Sequence, residues 1–363
     1  MLAYHDLVPF PEHAGAAFNL FFSAWNSRIL GVPQPEPPFT FIVGMMLRIS
    51  GDNGPLVQKI YWFSLMPIAA ITMYIFLGRL VKSQLARFVA SFIYSVNRHI
   101  TLNFIAGSTS TLTIYAFLPL ILYFLINLLE KGRDGAKPMA RIRSMLLFSM
   151  ALALPLLIGS DKIFAIFWPI MGVFFFLYIP IKSVLTSVKY ILTTIGFFVS
   201  SVILSMLQSM YISTWTLRIF FPTGGFLVGY VSSSINSLIG DVIFCYNYPP
   251  ANLVNLLRLA WEEYVRGIVY NGDPYSTLFG FFLPILAFPC LLLARNRNSR
   301  RYAVGFSTVA ILTILFLWLT HLGITLNLFR LFPVLFIYRF PSILLFTVLL
   351  AYCPMIAITI DEI

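Results

Sequence analysis

Residues 60–78 read IYWFSLMPIAAITMYIFLG and contain no charged side chain. An α-helix needs about 20 apolar residues to cross the hydrocarbon core of a bilayer, and this run has that length. The next residues, RLVKSQLAR at positions 79–87, carry three basic side chains and no acid. An apolar run followed by a short basic connection predicts a membrane helix, and the rest of the chain repeats this alternation.

The composition agrees with a membrane protein. Of the 363 residues, 59% are hydrophobic and 10% are charged, whereas soluble domains have about 25% charged residues. A soluble enzyme, a disordered chain and a disulfide-rich secreted domain are therefore excluded. The three cysteines do not indicate a disulfide framework, because Cys290 and Cys353 lie inside apolar runs.

Uncharged runs predict an all-α polytopic membrane protein with about nine transmembrane helices and two long outer loops. The runs are 60–78, 88–97, 99–129, 144–160, 163–181, 190–217, 274–294, 302–329 and 340–360. The second and third runs are expected to join at an outer turn near 98–110, and the fourth and fifth at a tight hairpin. The expected regions are a first outer loop with an interfacial helix (1–55), transmembrane helices one to six (56–210), a second outer loop (211–273), and helices seven to nine with an outer segment at 321–341 (274–363).

Lysine and arginine residues predict the orientation. Alternate short connections hold Arg79, Lys82, Arg87, Lys131, Arg133, Lys137, Arg141, Arg143, Lys182, Lys189, Arg295, Arg297, Arg300 and Arg301. By the positive-inside rule these connections face the cytoplasm, and the long loops face outward from the plasma membrane. This distribution accounts for the net charge of +11, so binding to nucleic acid is not needed to explain it.

The first outer loop concentrates polar residues and prolines. It opens with HDLVPFPE at positions 5–12, and apolar side chains then recur at helical spacing. This periodicity predicts an amphipathic helix over about residues 13–30 that lies in the membrane interface. Gly31 suits its C-terminal cap, and the prolines at 33, 35, 37 and 38 predict an extended return to the first crossing.

The start of the chain is unusual for this orientation. If residues 79–87 are inside, residues 1–55 lie outside, although no signal peptide or earlier span precedes them. We therefore expect a further N-terminal span upstream of Met1; the alternative is an N-out protein that is complete as it stands.

The second outer loop is much longer than a connection between two helices requires, and loops of that size are usually functional. It contains a predicted helix over 252–266 with the sequence WEEY at 261–264. The last outer segment adds Arg330 and Arg339 among Phe and Leu residues. A charge near membrane depth is costly alone, so we expect anionic partners for both arginines.

Common catalytic motifs are absent from the sequence. It contains no Gly-rich phosphate loop, HExxH, CxxC or GxSxG motif, so nucleotide hydrolysis, zinc proteolysis and ordinary serine esterase chemistry have no support. The ionisable side chains instead crowd the expected outer face. There a carboxylate can take the proton of an acceptor hydroxyl, and cations can stabilise a departing phosphate. Such a site suits transfer from a phosphate-linked lipid donor.

Several short patches resemble the GT-C superfamily of membrane glycosyltransferases. They are His5-Asp6 followed by Pro11, Trp25-Asn26 with the proline-rich return, the pattern of Tyr94, Gly107 and Leu118-Pro119-Leu120, and the late Arg339-Phe340-Pro341. The chain is most similar to the arabinofuranosyltransferase kind and to related uncharacterised multispanning proteins. The resemblance implies a polyprenyl-phosphate sugar donor and a catalytic base at the acid after the first span, here Asp6. The family usually shows Gly-Asp where this chain has His5-Asp6.

The candidate site combines this resemblance with the residues themselves. Asp6 is the candidate catalytic base, and its alternative role is to cap the interfacial helix. The candidate substrate-binding residues are His5, Glu12, Trp25, Asn26, Arg98, Asp161, Lys162, Trp261, Glu262, Arg330 and Arg339. Structural roles stay open for several of them: Asp161 and Lys162 can pair within a turn, Trp261 can anchor at the interface, and the arginines can meet lipid headgroups.

The sequence therefore predicts a hexosyl- or pentosyltransferase of the cell envelope. It takes a sugar from a polyprenyl-phosphate donor and gives it to a glycan, lipid or protein acceptor. No cofactor is required by the pattern, although a divalent cation is compatible with it. The alternative is a non-catalytic transport or assembly subunit for lipid-linked glycans.

Overall fold

The computed structural model describes residues 15, 25–26, 32–33, 37–97, 100–101, 109–133, 138–156, 170–174, 177–178, 184–208, 282–331 and 341–363. Within them lie two short strands, β1 (Trp25–Asn26) and β2 (Val32–Pro33), and ten helices. The helices are α1 (Pro37–Ile49), α2 (Gly54–Leu77), α3 (Gln84–Ser95), α4 (Thr109–Arg133), α5 (Pro138–Leu156), α6 (Val184–Gln208), α7 (Cys290–Leu293), α8 (Arg297–His321), α9 (Leu326–Leu331) and α10 (Pro341–Glu362). The predicted all-helical character is confirmed for this part of the chain.

Six of these helices contain stretches long and apolar enough to cross a membrane: Gly54–Leu77, Thr111–Lys131, Pro138–Leu156, Tyr190–Leu207, Arg297–His321 and Leu344–Glu362. They coincide with six of the nine predicted crossings. The other three fall on α3, on the helical residues 170–174 and 177–178, and on a short apolar stretch, Phe282–Leu293, which ends in α7. The predicted second outer loop lies outside the described residues.

Helix α10 lies at the centre of the bundle. It packs against α8 on one side and α3 on the other, and α7 also contacts it. The row continues from α3 through α2, α4 and α5 to α6. Among the six long apolar stretches, that of α10 is the most buried, at 89%, and that of α6 is the least buried, at 22%. Helix α6 therefore presents most of its surface to lipid.

The exposed residues of the outer helices are apolar. On α6 the exposed face carries Leu192, Ile195, Val199, Ile203 and Leu207, which recur every three or four positions. In a soluble protein a continuous apolar face of this kind would mark an interaction site. Here it matches the hydrocarbon of a bilayer, which agrees with an integral membrane protein.

One end of the bundle gathers most of the described charges. The turn between α2 and α3 lies there. Helix α10 ends beside this turn, since the backbone N–H groups of Lys82 and Ser83 donate to its Asp361 side chain. The start of α8 and the end of α4 meet at the same end. We name it the basic end after the cations placed there, Arg79, Lys82, Arg87, Lys131, Arg297, Arg300 and Arg301.

Helix α1 ends in a tight turn at the other end of the bundle. Gly51 and Asp52 both adopt positive φ, +66° and +62°, and the Asp52 N–H donates to the Leu47 carbonyl at 2.8 Å. This bond closes the last turn of α1 in the manner of a Schellman motif, in which glycine suits the left-handed position. Asn53 then caps α2, because its side chain accepts the Leu56 N–H.

The prediction for the first outer loop is partly wrong. Trp25 and Asn26 do not continue the helix expected over 13–30, because they pair antiparallel with Pro33 and Val32. Tryptophan and valine favour extended backbone, and Pro33 lacks the N–H that a longer ladder would need. Pro37 and Pro38 begin α1 rather than an extended return, because the fixed φ of proline suits the first turn of a helix.

Gly305 allows a close approach between α8 and the helical residues 170–174 and 177–178. A Cβ atom at Gly305 would lie 2.7 Å from Leu177 Cδ1 and 3.3 Å from Phe174 Cζ. The neighbouring Phe306 packs edge-on against Phe174, with ring centroids 4.9 Å apart. The absence of a side chain at Gly305 is therefore what lets these segments touch.

Replacing Gly305 by Val should lower stability by about 1–3 kcal/mol, the usual cost of inserting methyl groups into a packed core. Thermal unfolding in detergent measures this change. The matched control is Gly196→Val on α6, where a Cβ meets nothing within 4 Å. Equal stability of the two variants would show that Gly305 does not pack against Phe174 and Leu177 as described.

Candidate functional site

Most of the predicted site residues lie outside the described part of the chain. These are His5, Asp6, Glu12, Arg98, Asp161, Lys162, Trp261, Glu262 and Arg339. The backbones of three others are placed: Trp25 and Asn26 in β1, and Arg330 in α9. The predicted outer-face site therefore remains a prediction, and the described residues add two polar clusters that the sequence analysis did not identify.

The first cluster, which we name the ion-pair cluster, consists of Arg79, Glu130, Tyr178 and Tyr302. Arg79 follows α2 and forms a salt bridge through its guanidinium to Glu130 Oε2 near the end of α4. The hydroxyls of Tyr178 and Tyr302 donate to Glu130 Oε1 at 3.1 and 3.0 Å. The two hydroxyl oxygens are themselves 3.0 Å apart. Both carboxylate oxygens are thus engaged, so the cluster joins four segments of the chain.

Aromatic rings support the cations around this cluster. The Arg79 guanidinium carbon lies 5.4 Å from the ring centroid of Tyr123, and that of Arg301 lies 4.9 Å from the ring centroid of Tyr178. Both distances suit cation–π attraction. Two of the basic side chains are therefore fixed at this end of the bundle.

Electrostatics keep Arg79 ionised although its side chain is only 18% exposed. Burial by itself lowers the pKa of Arg79, because desolvation disfavours the charged form. The Glu130 carboxylate and Tyr302 outweigh burial and raise the pKa above its ordinary value. Arg79 therefore stays positively charged in this partly buried place.

The turn between α2 and α3 is held from both sides at the basic end. Asp361 accepts N–H bonds from Lys82 at 3.2 Å and from Ser83 at 2.6 Å. Arg87 donates to the Val81 carbonyl at 3.0 and 2.8 Å and to the Lys82 carbonyl at 3.2 Å. The carboxylate sits at the N-terminus of α3, where the helix dipole favours negative charge. The ion-pair cluster and this turn together hold the helix ends in place, and we name the two together the clamp.

The second cluster lies where α3 ends and consists of Tyr94, Asn97 and Tyr115; we name it the tyrosine joint. The Tyr94 hydroxyl donates to the Tyr115 carbonyl at 2.8 Å, and the Tyr115 hydroxyl donates to the Tyr94 carbonyl at 2.6 Å. The two rings stack with centroids 4.0 Å apart and planes 17° from parallel. Both side chains are buried.

Asn97 links the end of α3 to the next helical turn. Its side-chain amide donates to the carbonyls of Ile93 at 3.2 Å and Tyr94 at 2.8 Å. Its side-chain oxygen accepts the N–H of Ile100 at 3.1 Å. The residues between, Arg98 and His99, belong to the outer turn that the sequence predicts near 98–110.

The tyrosine joint lies within the length of the apolar stretch of α4, Thr111–Lys131, which contains Tyr115. Helix α3 begins at the basic end and has 12 residues, which span about 18 Å against a hydrocarbon core of about 30 Å. Its partner α4 has 25 residues, enough for about 37 Å. On α4, Tyr115 is separated from Glu130 by a length of about 22 Å at the same rise per residue. The joint is therefore far from the ion-pair cluster, towards the opposite end of the bundle.

Sequence reasoning missed both clusters for the same reason. Arg79 was counted only as a charge of one connection, and Tyr94 was noted only as part of a motif. Their partners are distant in sequence, so periodicity does not reveal them. The available signal was Pro119 inside an apolar run, because a proline within a helix leaves one carbonyl without its usual donor.

Metal binding has no cluster to support it in the described ranges. Among these residues, no group of three or more His, Cys, Asp or Glu side chains is arranged to hold a metal ion. The candidate donors His5, Asp6 and Asp161 lie outside these ranges, so the expected compatibility with a divalent cation stays a prediction.

Comparison of the chain with protein-family models, with curated proteins and with solved structures finds no match. The resemblance to GT-C glycosyltransferases therefore stays a hypothesis drawn from the residues quoted above.

Replacing Glu130 by Gln should destabilise the protein by about 1–3 kcal/mol, because Arg79 loses its counter-charge and its strongest acceptor. Adding Arg79→Met should recover part of this loss, since the unpaired charge is then gone. Thermal unfolding in detergent measures both effects.

The control for this cycle is Glu362→Gln, a partly exposed acid at the same end, with an expected change below about 0.5 kcal/mol. Strictly additive effects of the Arg79 and Glu130 substitutions would contradict the ion-pair cluster.

Proposed function

We propose that the chain is an integral membrane glycosyltransferase of the GT-C type that works at the end of the bundle opposite the basic end. It moves a sugar from a polyprenyl-phosphate donor to an acceptor hydroxyl. The observation that supports this most directly is the early end of α3 at Ser95, three positions before Arg98, after only 12 residues.

The cations expected at that end, Arg98, Arg330 and Arg339, support placing an anionic substrate there. A guanidinium near membrane depth is costly without a counter-charge. The phosphate of a lipid-linked donor would supply a matching charge at that depth.

The proposed reaction needs one base and a set of cations. The Asp6 carboxylate takes the proton of the acceptor hydroxyl while the acceptor oxygen bonds to the sugar carbon that carries the phosphate. The bond from that carbon to the phosphate oxygen breaks, and the polyprenyl phosphate leaves with the electron pair. Arg98, Arg330 and Arg339 stabilise the departing phosphate.

The remaining predicted residues complete the substrate site in this proposal. Trp261 offers a ring for the sugar, and Glu262 accepts hydrogen bonds from its hydroxyls. Six further residues contact the donor or the acceptor in this proposal, with no separate role for each. They are His5, Glu12, Trp25, Asn26, Asp161 and Lys162. The basic end faces the cytoplasm of the plasma membrane in this arrangement, in keeping with the positive-inside rule.

Replacing Asp6 by Asn should reduce transfer by about 10²–10⁴-fold, the usual contribution of a general base. The assay follows transfer from a panel of radiolabelled polyprenyl-phosphate sugars in membranes that contain the protein. The matched control is Asp52→Asn, because Asp52 is an exposed acid at the same end and Asn tolerates its positive φ.

Undiminished transfer by the Asp6 variant would remove Asp6 from the mechanism. Binding of lipid-linked sugar without transfer by any variant would instead favour a non-catalytic transport or assembly subunit.

A further inference from the structure

We propose that Pro119 and Tyr94 act as a pair that fixes the direction in which the chain leaves α3, and that Tyr94 is thereby a positioning residue for Arg98. The first half concerns the protein's own conformation. The second half rests on the proposed function, since it assigns Arg98 to the substrate site.

Pro119 creates the acceptor that Tyr94 uses. In a continuous α-helix the N–H of residue 119 would donate to the carbonyl of residue 115. Proline has no N–H, so this carbonyl loses its intrahelical donor. The Tyr94 hydroxyl donates to that carbonyl at 2.8 Å. A side chain of α3 thus replaces the backbone bond that α4 lacks.

The neighbouring carbonyl on α4 is supported in the same way. Thr72 on α2 donates its hydroxyl to the Ala116 carbonyl at 2.6 Å. A proline ring also crowds the turn before it, which weakens the adjacent helical bonds. Two flanking helices therefore donate to consecutive carbonyls at the proline, and both donors are buried.

The end of α3 shows the reciprocal arrangement. The last carbonyls of a helix have no intrahelical donors. Here the Tyr94 carbonyl accepts both the Tyr115 hydroxyl at 2.6 Å and the Asn97 amide at 2.8 Å, which uses both lone pairs. The Ile93 carbonyl accepts the Asn97 amide as well. Helix α3 can therefore end in a buried position without leaving these carbonyls unsatisfied.

The joint is held rigidly from outside as well. The stacked rings of Tyr94 and Tyr115 are both buried, and Phe346 of the central helix α10 packs on Tyr115 with centroids 5.2 Å apart. Neither ring can turn away without opening a cavity in the core. Since Asn97 also binds the N–H of Ile100, the backbone is fixed on both sides of Arg98 and His99.

A rescue experiment tests the pairing. In Tyr94→Phe the Tyr115 carbonyl loses its donor, whereas Pro119→Ala restores a backbone N–H that can reach the same carbonyl. Pro119→Ala should therefore largely rescue Tyr94→Phe. It should not rescue Tyr115→Phe, because the Tyr115 hydroxyl serves the carbonyl of Tyr94, which Pro119 does not affect. Tyr115→Phe is thus the matched control.

The readout is the position of residue 98, followed without any substrate. Arg98→Cys is introduced into a chain with Cys245→Ala, and its rate of reaction with a membrane-impermeant maleimide is measured in intact membranes. Reaction of the buried Cys290 and Cys353 gives a background rate. This rate is measured in the Cys245→Ala protein that keeps Arg98. We expect Tyr94→Phe to change the labelling rate by at least about threefold, the effect of one lost hydrogen bond. Adding Pro119→Ala should return it to the starting rate.

The proposal is overturned if Tyr94→Phe leaves the labelling rate unchanged, or if Pro119→Ala restores the two tyrosine variants equally. If Tyr94→Phe does not yield folded protein, recovery of folded protein by Pro119→Ala, and not in the Tyr115→Phe background, supports the pairing; no recovery overturns it. Labelling does not depend on transfer, so failure of the proposed function leaves this test valid. Where transfer is measured, a positioning role for Tyr94 predicts that Tyr94→Phe, with Arg98 retained, raises the KM for the donor more than it lowers kcat.

Discussion

A bilayer offers no water to its backbone, so each buried N–H and carbonyl group has to find a partner within the protein. Continuous helices such as α6 meet this requirement by themselves. Two of the places where the described chain departs from it are Pro119 in α4 and the end of α3, and side chains of neighbouring helices make up the missing bonds at both. In the tyrosine joint, the Tyr94 hydroxyl donates to the carbonyl freed by Pro119, and the Tyr115 hydroxyl donates to the Tyr94 carbonyl at the end of α3.

Charge is arranged under the same constraint. At the basic end Glu130 is bound by a guanidinium and two hydroxyls, and Asp361 is bound by backbone N–H groups. These contacts tie the ends of α2, α4 and α10 to the starts of α3 and α8. With Glu130 and Asp361 engaged in the clamp, this end is suited to holding the helices together, which leaves the opposite end as the place for chemistry in the proposed function.

The sequence pattern was sufficient for the helices but not for their contacts. Hydropathy identified six of the long helices because each has about 20 apolar residues in succession. It misassigned Trp25 and Asn26 because three-to-four spacing occurs by chance in a chain so rich in aromatic residues. It also took Pro37 and Pro38 for extended backbone, although the same fixed φ serves the first turn of α1. Of the candidate site, the chemistry of Asp6 and the arginines rests on residue type and resemblance, which periodicity cannot place in space.

The sequence by itself determined that this is a helical membrane protein with its basic residues in alternate connections, because both properties depend on local composition. Only the tertiary structure decided that α10 is the central helix, since apolar residues face lipid and protein core alike in a bilayer. It also decided that Arg79 pairs with Glu130, and that Tyr94 serves the carbonyl freed by Pro119. Those contacts join residues far apart in the chain, and they form only when α2, α3, α4 and α8 pack side by side.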